Sequence, residues 1–106
     1  MLKLGRHLRI HDRLKVVMGR NERENEFLER YREDRWWLQA VDFGSSLAIA
    51  VGEPDDADRV LLARLVARYS QGRDGPEVLV RAVRGEREER HRVSPLPLAE
   101  VDRFRI

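Results

Sequence analysis

Gly19-Arg20-Asn21 is the tripeptide in this chain best suited to chemistry. A strand that ends on glycine and turns directly into a helix leaves the first helical N–H groups pointing outward. The helix dipole favours negative charge there. An arginine beside those donors can complete a phosphate site, because its planar guanidinium matches paired oxygens. Asn25 stands one turn further along the same helix edge. It is a weak helix former, so it is read as a contact residue. The same residues also read as a plain turn, a solvated cation, a helix cap and a surface amide. Spacing alone leaves both readings open.

Trp36 and Trp37 are adjacent, so on a strand they face opposite ways. One fills the core. The other, if it lies in solvent beside Arg35, offers a face to an unpaired base. Other chemistry is sparse. His7, His11 and His91 lack the spacing of a metal pair, and exposed positions are expected for His7 and His11. The serines Ser45, Ser46, Ser70 and Ser94 sit in no Gly-x-Ser-x-Gly elbow, and there is no Gly-x-x-x-x-Gly-Lys phosphate loop. Carboxylates alternate with arginines, the pattern of a solvated ion-pair surface. No catalytic residue, metal site or cofactor is expected.

The 106 residues suit one domain spanning 1–106. Charged residues make up 38%, yet the net charge is only +2, too little by itself to imply a polyanion. Of the 21 basic residues only Lys3 and Lys15 are lysine, which leaves 19 arginines. Arginine binds phosphate bidentately and stacks on bases. It also replaces lysine across the surfaces of heat-adapted or GC-rich hosts. There is no cysteine and no apolar run near the ~20 residues that span a bilayer. Met1 to Arg6 lacks the apolar stretch of a signal peptide. A cytoplasmic location without membrane contact is expected.

These residues must be held by an α+β fold. His7–Ile10 and Leu14–Met18 read as a hairpin around His11-Asp12-Arg13. Asn21 caps a helix to about Glu33, with Glu24 in capping-box position and an apolar stripe at Phe27, Leu28 and Tyr31. Trp36–Ala40 and Ser46–Val51 read as strands joined at Asp42–Ser45. The second is apolar on both faces and therefore central. After Gly52–Asp55 a second helix follows, with Leu61, Leu62, Leu65, Val66 and Tyr69 as its apolar face and Gly72 at its end. Glu77–Val83 is a strand, Arg84–Glu89 a charged turn, and Arg90–Val93 the returning strand. Ser94-Pro95-Leu96-Pro97 cannot be a central strand, and Val101–Ile106 reads as a short last one. The order is roughly ββ-α-ββ-α-ββ: an antiparallel or mixed sheet with two helices on one face.

In that order the blocks resemble the RNA-binding domain called NFACT-R. The shared features are Gly19-Arg20-Asn21 with Asn25, and an acidic-x-Trp strand (Asp34, then Trp36 or Trp37) running through Asp42 into Gly44-Ser45 and the apolar strand Ser46–Val51. A helix then ends in Ala67, Tyr69 and Ser70, followed by Arg73. The resemblance covers roughly residues 6 to 84. It is closest to the variant at the C-terminus of PP-loop tRNA thiouridine synthases. That variant's opening matches Gly5, Arg6, His7, Arg9 and Ile10, and a further stretch matches Ala40 to Phe43. The chain departs from the family at Gln39 and Ser46, where histidines are usual. It departs again at Glu86-Arg87-Glu88-Glu89-Arg90, where the family's hairpin is basic.

The resemblance implies binding of structured RNA, plausibly tRNA. Arg6, Arg20, the backbone at Asn21, Arg35 and Arg73 would contact phosphate, Asn25 would belong to the same site, and Trp36 or Trp37 would stack or support it. It also implies service to a separate PP-loop sulfurtransferase or other RNA-modifying protein. The competing reading is a protein-interaction module docking on a tRNA-modifying or ribosome-associated partner.

Overall fold

The computed structural model describes residues 4–106; Met1–Lys3, part of the leader reading, lie outside it. Six strands form one sheet in the order β1-β2-β4-β3-β5-β6. They are β1 (Arg6–His11), β2 (Leu14–Met18), β3 (Trp37–Ala40), β4 (Ala48–Val51), β5 (Val78–Arg84) and β6 (Arg87–Val93). Every neighbouring pair is antiparallel. The helices are α1 (Glu22–Leu28, continued by a 3-10 turn to Tyr31), α2 (Asp56–Arg68) and the short α3 (Leu98–Val101). Among the described residues no helix is long and apolar enough to cross a membrane. The α+β class and the element order agree with the sequence expectation.

The helices do not share a face. Val16 and Met18 of β2 and Ala48 and Ala50 of β4 pack under α2, together with Leu38, Val78 and Val80. The alternate residues Val17 and Ile49 pack on the other side, against Leu28 of α1 with Tyr31 and Trp37 beside them. Central strands that are apolar on both sides need cover on both sides, so α1 takes one face and α2 the other.

Three further expectations are corrected. The first helix ends at Tyr31, not Glu33, and Asp34 in the left-handed region (φ 62°) turns the chain into β3. The charged turn narrows to Gly85-Glu86, with Gly85 at φ 59°, because Arg87–Glu89 is already strand. Val101–Ile106 is no strand. It continues α3 as a 3-10 turn, and Arg105 makes one isolated bridge to Leu8.

One buried ion pair fastens the hairpin to α2. Arg59, 5% exposed, donates to both carboxylate oxygens of Glu89 on β6 (2.8 and 3.1 Å) and to the Pro54 carbonyl (2.8 Å), with Asp56 as a further partner. Its guanidinium lies 4.5 Å from the centroid of the Trp36 ring. The hydrogen bond from Arg59 holds the Glu89 carboxyl down to about 2. The unfolded chain therefore binds a proton here that the native state does not, and stability is lost as pH falls from about 5 toward 2. Glu89→Ala is expected to cost about 2 kcal/mol at neutral pH, less than a fully buried pair because Glu89 is partly exposed. Urea titrations at pH 7 and pH 3 test this: the variant should lose less stability between them than the parent. An equal loss would place the linkage elsewhere.

Candidate nucleic-acid interface

The turn after β2 is built around the side chain of Asn25. Gly19 extends the β2–β4 pairing by one bond, its N–H donating to the Leu47 carbonyl (3.1 Å). A Cβ at Gly19 would overlap Asn25 Oδ1. With glycine there, the amide tucks in and uses both ends: Nδ2 donates to the Ser45 carbonyl (3.3 Å), and Oδ1 accepts from the Leu47 N–H (3.0 Å). Ser45 Oγ accepts from the Ala40 N–H (2.9 Å) and donates to the Ser46 carbonyl (3.2 Å), cinching the β3–β4 loop. Gln71 N–H donates to the Gly44 carbonyl (2.9 Å), which ties the same loop to the end of α2.

The result is an open groove of about 420 Å³, lined by Arg20, Asn21, Glu22, Asn25, Tyr69 and Gln71 among others. Three segments remote in sequence thus converge. Arg6 joins from β1, its guanidinium 4.3 Å from the centroid of the Tyr69 ring. Arg73 is exposed just beyond α2, with Nη1 donating to the Ser70 carbonyl (3.3 Å).

The helix start is not vacant. Asn21 caps α1 as expected, its Oδ1 accepting from the Glu24 N–H (2.9 Å). Glu24 reaches past the cap to Arg20, where it accepts from the backbone N–H (2.8 Å), Nε (3.2 Å) and Nη2 (3.1 Å). Those bonds, the guanidinium's first, hold the Glu24 carboxyl down to about 2. Outward donors for an anion were expected here; instead an internal carboxylate takes the Arg20 amide and one edge of its fork. The guanidinium is left oriented, with its other edge in solvent.

Arg35 and Trp36 lie elsewhere. The register carries β3 from Trp37, beside Val83, to Ala40, beside Val80, and the groove sits at the Ala40 end. Trp36, one residue before β3, is 3% exposed and packs in the α2 core under Arg59 and Arg87. It cannot stack on a base; it can only support. Arg35 is exposed at that far end, 6.0 Å from the Tyr31 ring centroid. Trp37 is the half-buried member of the pair, on the opposite face between Arg32 (4.9 Å) and Arg81 (5.1 Å).

Sequence reading missed Glu24 as the occupant of the turn, although it stands four residues after Arg20, at ion-pair spacing. It also missed a row of cations on the sheet face that carries Trp37. Cross-strand pairing puts Arg81 beside Arg90 and Leu79 beside Arg92. Glu88 bridges the first two, at 2.9 and 3.0 Å. The period-two alternation of β5 carried that signal, because Arg81 is out of phase with Val78, Val80 and Ala82.

Asn25→Ala should leave the Leu47 N–H without a partner and cost about 1–3 kcal/mol. Asn25→Asp keeps the acceptor and should cost less. Denaturant midpoints of both variants check the order, and equal values would mean the amide is not the clamp.

A family model described as the NFACT protein RNA binding domain matches residues 5–105. No curated protein sequence matches the chain. Among solved structures, the C-terminal part of the fibronectin/fibrinogen-binding protein from Streptococcus suis superposes with a TM-score of 0.84 at 17% identity. The match covers 100% of this chain and 51% of that one, so this chain spans about half its length. At that identity the likeness establishes the fold. With nearly all of its length under the family model, the chain belongs to the NFACT protein RNA binding domain family.

Proposed function

We propose that this domain binds structured RNA of the tRNA class in the cytoplasm, with a backbone phosphate held in the groove at Arg20. The observation that carries the reading is the convergence on one groove of the turn after β2, the β3–β4 loop and the end of α2. Glu24 holds one edge of the Arg20 fork by two bonds, which leaves the other edge for an oxygen in the groove that Arg20 lines. Arg6, over the Tyr69 ring, and Arg73, bonded to the Ser70 carbonyl, are the further phosphate contacts. The donors are suited to holding oxygens and carry no proton-transfer chemistry, so the domain serves as the RNA-holding part for a separate modifying enzyme. A PP-loop sulfurtransferase acting in tRNA thiolation is the partner the resemblance favours.

A second reading has its own support. Glu24 already offsets Arg20, and Glu88 already offsets Arg81 and Arg90. Such balanced surfaces also suit protein docking. That reading expects a stable complex with a modifying enzyme or the ribosome, and only nonspecific RNA binding.

A tRNA titration at two salt concentrations separates them. Arg20→Ala should weaken binding whatever the sequence and lower the salt slope by about one unit. If the variant binds tRNA as tightly as the parent at low salt, the groove is not a phosphate site.

A further inference from the structure

Phe43, in the loop between β3 and β4, is 44% exposed, yet its ring has a fixed seat. It lies against Gly72 just past α2, where an added Cβ would come within 2.7 Å of two ring carbons. Any larger residue at 72 would lift the ring off the backbone. The loop beneath is pinned by the bond from the Gln71 N–H to the Gly44 carbonyl and by Ser45 Oγ on the Ala40 N–H. One side of the ring is therefore held, and its exposed surface belongs to a part of the loop that does not have to be ordered on binding.

The neighbours of Phe43 set the chemistry of what can lie on it. On one side, Gly44, Ser45 and Gln71 line the groove that contains Arg20 and Asn21. On the other, Phe43 borders a second groove walled by Glu22, Glu26 and Glu29 of α1 and the turn after it, with Gln39 opposite. Glu22 borders both grooves, but Glu26 and Glu29 line only the second and Arg20 lines only the first. Phosphate is therefore favoured toward Arg20, and an uncharged base, indifferent to the carboxylates, toward Phe43.

We propose that Phe43 is a stacking platform for an unpaired base of the bound RNA, the nucleotide whose phosphate lies in the Arg20 groove. The proposal rests on the phosphate reading of that groove. It narrows the ligand to structured RNA with a single-stranded element beside its helix, because a base inside a duplex has both faces covered. The two tryptophans do not compete for this role. Trp36 is buried, and Trp37 lies between two guanidinium groups.

The test uses two RNA hairpins closed by the same compact, stacked tetraloop, one with a blunt stem end and one with a single-stranded 3′ tail of about four nucleotides. Fluorescence anisotropy should show the parent binding the tailed hairpin about tenfold more tightly, the effect of one stacked base. Phe43→Leu keeps an apolar plug over Gly72 but no aromatic face. It should lose that preference while binding the blunt hairpin like the parent. Phe43→Trp should keep the preference. Thermal melts establish that both variants are folded. The proposal is overturned if the parent shows no preference, or if folded Phe43→Leu retains it. Arg20→Ala separates the two readings. It should weaken both hairpins alike; if it weakens neither, the phosphate assignment falls. If it weakens both while Phe43→Leu keeps the preference, the groove stands and the stacking role falls.

Discussion

The amide of Asn25 is the contact on which the groove depends. The β3–β4 loop leaves the pairing pattern after Val41, whose N–H still bonds to the Leu79 carbonyl, so its backbone groups need partners outside the sheet. Asn25 supplies both kinds at once, a donor for the Ser45 carbonyl and an acceptor for the Leu47 N–H. It can do so only because position 19 has no Cβ, and only from the helix turn that Asn21 starts. Glycine, cap and amide are therefore one device. It fixes where α1 begins relative to the β3–β4 loop, and so the width of the groove between them. Ser45 and Gln71 then extend the same device to β3 and to the end of α2.

Carboxylates do comparable work elsewhere. Glu24, Glu88 and Glu89 each accept from more than one N–H of arginine, and each holds two elements or two side chains in a set geometry. The stretch Arg87–Glu89, near neutral by count, divides by face. Glu89 points toward Arg59 and the α2 side, where it fastens the hairpin. Glu88 points the other way, between Arg81 and Arg90. The near-neutral charge of this hairpin thus comes from carboxylates with two different tasks, one that fastens the hairpin and one that shapes a surface.

What could be read from the sequence follows from how local each signal is. The cap at Asn21, the break at Gly19, the apolar face of α2 and the double-sided burial of β4 depend on neighbours within a few residues. They are all present, whereas α2 ends at Arg68 with Tyr69 as its cap, before Gly72 is reached. β6 was foreshortened because its alternation is between charges, not between apolar and polar residues, and an edge strand shows no more than that. Val101–Ile106 looks like a strand by composition. Helix and extended backbone are close in energy for so short a piece, and packing of Val101 into the core decided it. The placement of α1 was present in Val16-Val17-Met18, three consecutive buried residues that demand cover on both faces, but it needed the register of β2 beside β4 to be seen. At the candidate site the residue types were legible and their pairing was not. Nothing in the spacing of Trp36 and Trp37 says which faces α2.

The arginines finally bear on how a domain of net charge +2 can hold RNA. A surface of free cations attracts any polyanion, and its affinity falls steeply with salt as counterions return. Several of the arginines here instead have a carboxylate partner: Arg20 gives one edge of its fork to Glu24, Arg81 and Arg90 each give one N–H to Glu88, and Arg105 gives one to Asp102. The long-range field is weakened, and so is attraction to nucleic acid in bulk. What survives is directional, a set of N–H groups partly oriented by the carboxylate beside them. Such donors reward an RNA whose phosphates sit at fixed positions and give little to one that must be ordered first. A near-neutral surface of this kind suits recognition of RNA shape better than capture of RNA charge.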